Sequence, residues 1–126
     1  MDVQLKRGLL DVAVLAAIRY EASYGYRIVR DLQPYMDISE STLYPILRRL
    51  ETGKCLTVRS EEHSGRLRKY YEITTKGLER IYEFQDEWKE IVSIYEFICR
   101  DKAADTTENE ENESKEKAYI ATVGKE

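Results

Sequence analysis

The stretch Ser39-Glu40-Ser41-Thr42-Leu43-Tyr44-Pro45-Ile46-Leu47-Arg48-Arg49-Leu50-Glu51-Thr52-Gly53 decides how the rest of this chain is read. Ser39 is of a type that caps helices, Glu40 suits the positive end of a helix dipole, and Gly53 is a common stop. Between them Leu43, Ile46, Leu47 and Leu50 fall at i, i+3, i+4 and i+7, one apolar stripe. Ser41, Pro45 and Arg48 lie opposite that stripe, with Tyr44 and Arg49 on its flanks. The expected helix therefore buries one face and offers hydroxyls, an aromatic ring and arginines on the other. Pro45 forfeits a backbone hydrogen bond and is expected to bend the helix, at about 3 kcal/mol in an ordinary interior. A breaker at that point implies a requirement of shape.

Upstream, Ser23 is expected to cap a second helix that runs to about Gln33 and stops before Pro34. Tyr24, Ile28 and Leu32 share its face, and Gly25 suits either a close approach or a tight entry. Before it, a helix from about Leu5 to Tyr20 contains LLDVAVLAAI, apolar nearly all round. Such a helix is covered on more than one side. A core on one side and a partner chain on the other would put Leu9, Ala13 and Ala16 at a dimer interface.

Downstream, Leu56 and Val58 alternate with polar residues, Glu61-Glu62-His63-Ser64-Gly65 reads as a turn, and Leu67 to Ile73 alternates again. In that hairpin Leu67, Tyr71 and Ile73 are expected to face inward, Arg68 and Tyr70 outward. Thr74 then caps a long helix to about Arg100. Ile81, Phe84, Trp88, Ile91, Tyr95 and Ile98 are spaced 3, 4, 3, 4, 3 along it, the a/d seam of a helix packed lengthwise on another. A chain this small has little of its own to cover that seam, so a second copy is the economical partner.

Charge is distributed unevenly. The net −4 comes from residues 101–126, which hold 4 basic and 8 acidic residues, whereas residues 1–100 hold 16 of each. Residues 42–70 carry seven bases against three acids, so the region around the deciding helix and the hairpin is locally basic. The segment from Asp105 to Glu113 has no apolar residue, and the whole acidic tail 101–126 is expected to be disordered. Cys55 and Cys99 match no metal spacing and read as two reduced thiols. His63, the single histidine, lies in the turn, and no nucleophile, phosphate loop or cofactor motif accompanies it. An enzyme is not indicated, and neither is a membrane span or an export signal; the expected location is the cytoplasm.

The order helix, helix, helix, hairpin within about 70 residues is that of a winged helix-turn-helix. The expected fold is mainly α with a small β-hairpin: a DNA-binding winged domain over 1–74, a dimerisation helix over 75–100 and the tail. In such a fold the third helix enters the major groove by its N-terminal half. Ser41, Thr42 and Tyr44 can meet base edges, Arg48 and Arg49 phosphates, and Arg66, Arg68 and Lys69 of the hairpin the backbone or minor groove. A competing reading is a winged helix that serves only as a protein-interaction scaffold.

At these residues the chain resembles the PadR family of bacterial regulators. The resemblance is carried by Tyr24-Gly25-Tyr26, by Ser41-Thr42-Leu43-Tyr44-Pro45-Ile46-Leu47-Arg48-Arg49-Leu50-Glu51 with Gly53 after it, and by Gly65 to Thr74. It covers roughly residues 5–100, accounts for Pro45, and departs at Leu67, where relatives often have a base. It implies a cytoplasmic homodimeric repressor on a palindromic operator, of the short form in which one long C-terminal helix dimerises with help from the first helix. Some short members bind flat aromatic molecules at the dimer interface, stacked on a tryptophan of the long helix. Here that residue would be Trp88, with Phe84, Ile91 and Tyr95 beside it; the alternative is that Trp88 simply fills the seam.

Overall fold

The computed structural model describes residues 1–101 and 115–120. Its elements follow the order α1 (Val3–Ala17), α2 (Gly25–Leu32), α3 (Glu40–Thr52), β1 (Leu56–His63), β2 (Arg66–Ile73) and α4 (Thr75–Ile98). The chain divides into two compact units, Met1–Phe84 and Gln85–Glu126, and α4 contributes to both. The fold is a winged helix-turn-helix followed by a long helix, as the order of elements implied.

In the first unit α1, α2 and α3 close over one core. Its centre is Leu15, Ile18, Ile28, Leu43, Leu47, Leu50 and Leu56, each no more than 1% exposed. Burying a side chain of this size contributes roughly 1.5–3 kcal/mol. The stripe Leu43, Ile46, Leu47 and Leu50 is buried as a unit, while Ser41, Tyr44, Pro45 and Arg48 are exposed. The helix continues through Pro45 without a break. α1 starts two residues earlier than Leu5, because the Asp2 carboxylate accepts hydrogen bonds from the amides of Gln4 and Leu5 at 3.0 and 3.1 Å. It ends before Tyr20, which is exposed.

One cap differs from expectation in identity and another in geometry. Ser23 does not cap α2: the cap is Tyr24, and its side chain makes no capping bond. Ser23 is instead fully buried, its backbone paired with Tyr71 in both directions (3.0 and 2.8 Å), and its hydroxyl has no partner among the described residues. At the end of α3, Gly53 keeps an ordinary φ of −77° and Lys54 takes the left-handed position, φ 61°. The amides of Lys54 and Cys55 donate to the carbonyls of Glu51 and Leu50, so the α3 terminus is a Schellman motif with lysine where glycine is usual. Thr74 does cap α4: its Oγ1 accepts from the Gly77 amide at 3.2 Å and donates to the Lys54 carbonyl at 2.7 Å.

The hairpin pairs Leu56 with Ile73 at its base and His63 with Arg66 at its tip. Ser64 and Gly65 both have positive φ (53° and 77°), the signature of a two-residue type I′ turn. The turn is therefore tighter than the five-residue one expected. Leu67, expected inward, is 80% exposed, because the outer half of this two-stranded ribbon has no layer beneath it. Tyr71, nearer the base, is buried, and Ile73 packs against the core. Gly77 permits α4 to begin here: a Cβ on it would lie 2.3 Å from the Cys55 carbonyl oxygen and 2.7 Å from Ile73 Cγ1.

In the second unit α4 runs on to Ile98 with much apolar surface uncovered: Ile91, Ile94, Phe97 and Ile98 are 45%, 54%, 62% and 68% exposed. Residues 115–120 are helical. The Tyr95 hydroxyl donates to Glu116 at 2.8 Å, and hydrogen bonding to Cys99 first, then to Glu116, holds that phenol above its usual range. Most of the tail expected to be disordered, including Asp105 to Glu113, lies outside the described residues. No described helix is long and apolar enough to cross a membrane.

Candidate nucleic-acid interface

The face of α3 opposite its core stripe and the neighbouring hairpin together bound an open groove. It is lined by Glu40 and Tyr44 of α3, Tyr24, Gly25 and Tyr26 at the start of α2, and His63, Ser64, Arg66, Leu67, Arg68, Lys69 and Tyr71 of the hairpin, a space of about 830 Å³. Gly25 sets the α2–α3 separation here. A Cβ added to it would lie 3.0 Å from the Tyr44 hydroxyl, so the ring rests where any side chain at position 25 would stand.

The hairpin is fixed relative to α2 by two devices. One is the backbone bridge between Ser23 and Tyr71, which adds a residue of α2's approach to the sheet. The other is an aromatic stack on Tyr24: the Arg68 guanidinium sits 3.9 Å from its ring centre, and Tyr70 meets it edge-on at 5.7 Å. Such cation–π contacts are worth about 0.5–1 kcal/mol at exposed sites. Their value here is orientation, since they hold Arg68 against the groove wall.

At the N-terminus of α3 the hydroxyls form a chain. Ser39 Oγ accepts from the Thr42 amide at 3.3 Å and lies 2.9 Å from Ser41 Oγ and 3.1 Å from Thr42 Oγ1. Ser39 Oγ is thereby saturated, while the Ser41 and Thr42 hydroxyls keep capacity for further bonds. Beneath the helix, burial pushes the Tyr71 phenol up, with Tyr44 and Glu51 adding to the effect and Arg48 opposing it.

The structure sorts the seven bases of residues 42–70. Arg59 pairs with Glu61 on its own strand and with Glu72 across the hairpin, and is spent there. Arg49 departs from the sequence expectation: its guanidinium turns inward to Asp11, with Nε donating to Oδ2 at 3.3 Å and Nη2 to Oδ1. Asp11 is 3% exposed and takes a second partner, Arg80 of α4, at 2.9 Å. A carboxylate that deep needs both arginines, which explains why Arg49 is not presented to a ligand. Arg48, Lys54, Arg66, Arg68 and Lys69 make no ion pair among the described residues; Arg66, Arg68 and Lys69 line the groove, Arg48 stands on the exposed face of α3, and Lys54 lies past that helix's C-terminal end.

The groove thus brings together Tyr44, Arg66, Arg68 and Lys69, while Ser41, Thr42, Pro45 and Arg48 stand on the adjoining exposed face of α3. Sequence reading missed the groove roles of Tyr24, Tyr26 and Glu40; the Tyr-Gly-Tyr motif and the cap's neighbour were their only signals. It also missed Asp11, whose partners lie 38 and 69 residues away.

Of the residues expected at a partner chain, Leu9 and Ala13 are half-buried and Ala16 exposed, whereas Ile81 is buried in its own chain's core. Phe84, Trp88 and Tyr95 are half-buried, and Ile91 and Ile98 exposed. Among the residues expected at a ligand, Tyr95 alone lines the small cleft of about 310 Å³ that it shares with Val92, Cys99 and Ile120.

Comparison with known proteins gives one consistent result. Residues 14–83 match the model of the transcriptional regulator PadR-like family. A PadR family transcriptional regulator from Eggerthella lenta superposes with a TM-score of 0.70 at 31% identity, covering 79% of this chain and 89% of that one. A PadR-like transcriptional regulator from Bacillus cereus gives 0.68 at 31%, covering 79% and 99%. The Bacillus subtilis PadR solved with operator DNA, at 22% identity and a TM-score of 0.57, shares the fold over 60% of this chain and 45% of its own.

Proposed function

The chain belongs to the PadR-like family of transcriptional regulators, and on that premise we propose that it binds a palindromic operator as a homodimer and represses from it. The observation that carries this reading is the groove between α3 and the hairpin, walled by tyrosines and edged by cations left unpaired by the fold. α3 enters the major groove, with Ser41, Thr42 and Tyr44 at base edges and Arg48 at phosphate. Arg66, Arg68 and Lys69 of the hairpin run along the flanking backbone. Two such heads on one duplex require a dimer; the uncovered apolar face of α4 at Ile91 and Ile98 supplies one surface for it, and Leu9, Ala13 and Ala16 of α1 are a separate candidate. Dimerisation on α4 makes residues 1–74 the DNA-binding part and 75–100 the dimerising part, with Ile81 kept by its own chain's core. An operator places the protein in the cytoplasm.

Effector control extends the same reading. A planar aromatic molecule stacked on Trp88, among Phe84, Ile91 and Tyr95, would favour one dimer geometry over another and so change operator affinity. Trp88→Ala then keeps the dimer but abolishes binding of planar aromatic cations; unaltered binding by that variant removes the stacking role.

The deciding experiment is fluorescence anisotropy on a labelled duplex from the protein's own upstream region, across salt, against a scrambled duplex. Specific binding is expected, weakening steeply with salt because each phosphate contact adds about 0.9 to the logarithmic slope. The double variant Arg48→Ala plus Arg68→Ala should lose it while sedimenting as the same dimer. Absence of binding to either duplex at low salt refutes the regulator reading in favour of an interaction scaffold.

A further inference from the structure

Glu40 is an anomaly in a groove read as a polyanion's seat. It is the first residue of α3, exposed, and lines the groove together with Arg66, Arg68 and Lys69. Among the described residues it makes no hydrogen bond or ion pair: the Ser39 hydroxyl serves the Thr42 amide, and the nearby cations stay beyond ion-pair distance. A carboxylate accepts hydrogen bonds and donates none, so phosphate oxygens repel it and cannot satisfy it. Donors on the floor of a major groove are the exocyclic amino groups, and the cytosine N4 amino group is the one an acidic side chain matches. The first turn of a recognition helix is the part that reaches base edges.

Resting on the DNA-binding reading above, we infer that Glu40 is a specificity-determining residue that accepts a hydrogen bond from a cytosine amino group, one per operator half-site. The repulsion from phosphate gives the assignment a second consequence. Duplexes lacking that cytosine leave the carboxylate unpaired against the DNA, so Glu40 excludes wrong sequences as well as favouring the right one. The hydroxyls of Ser39, Ser41 and Thr42 are tied to one another beside it, which holds this first turn in one arrangement.

The test is selection of preferred duplexes from a random library by the full chain and by Glu40→Gln and Glu40→Ala, followed by anisotropy on the sequences recovered. The wild type should enrich a palindrome with a cytosine at one position per half-site, and replacing that base should weaken binding roughly tenfold. Glu40→Gln should move the preference there to adenine, whose N6 and N7 match an amide. Glu40→Ala should lose the preference at that position alone, and both variants should bind scrambled duplex more tightly than wild type. An unchanged consensus in both variants overturns the assignment, and so does tighter binding to every sequence alike. If the wild type enriches no sequence at all, the DNA-binding reading itself falls, and this inference with it.

Discussion

α3 and the outer half of α4 carry the same kind of apolar stripe and meet different fates. On α3, Leu43, Ile46, Leu47 and Leu50 are at most 4% exposed, whereas Ile91, Ile94 and Ile98 on α4, at the same 3- and 4-residue spacing, are 45–68% exposed. The polar faces differ as well: α3 turns out one unpaired cation, Arg48, and tied hydroxyls, and α4 between Gln85 and Glu96 is dominated by acids. Periodicity states that a face will be covered. It does not state by what, and the structure answers the question for one helix only.

Variants separate the two cases. The largest effect is expected from Leu47→Ala, which opens a cavity in a closed core and should lower unfolding free energy by about 3 kcal/mol, measured by urea denaturation and independent of protein concentration. Asp11→Ala comes next. It leaves Arg49 and Arg80 without their shared carboxylate, but both are about a third exposed and can be solvated, so the loss should be about 2 kcal/mol, below that for a fully buried pair. Ile98→Ser, on the uncovered stripe, should leave unfolding of the monomer unchanged and weaken self-association about tenfold in analytical ultracentrifugation. A loss of monomer stability as large as that of Leu47→Ala would mean that the α4 stripe is covered by its own chain.

The smallest effect concerns pH. Burial raises the Tyr71 phenol above its ordinary 10.0 in the folded state. The neutral form is therefore favoured by folding: its contribution is fully present below pH 10.0, and is lost as pH rises through the folded value. Melting temperature should fall less on the alkaline side of pH 10 in Tyr71→Phe than in the wild type.

The sequence revealed most where neighbours in the chain are neighbours in space. The bounds of α3, its core stripe, its exposed face and the cap at Thr74 are all local, and each stood where the pattern put it. The hairpin was legible as a hairpin, but its tip was not. Alternation signals a strand only when one face is buried, and outward of Ser60 on β1 every residue is exposed, so Glu61 to His63 looked like turn. Leu67 misled for the same reason in reverse. Two residues with long-range structural roles, Asp11 and Gly77, were illegible in role. An aspartate within an apolar run, and a glycine in the first turn of a helix, acquire their meaning from atoms 20 or more residues away. Arg48 and Arg49 make the same point: adjacent, chemically identical, one turned to solvent and the other to Asp11.

One consequence concerns how such a head is transplanted. α4 supplies Gly77, Arg80 and Ile81 to the first unit, and the division between the units falls at Phe84, inside the helix, with no linker between. A chimera that gave this head a new C-terminal half must therefore be joined within a continuous α-helix, downstream of Phe84. The joint then has a phase: each residue inserted or removed turns all that follows by about 100° and shifts it by about 1.5 Å. Grafts that differ by a single residue would present their new halves in different directions, and four successive joints would sample most of one turn.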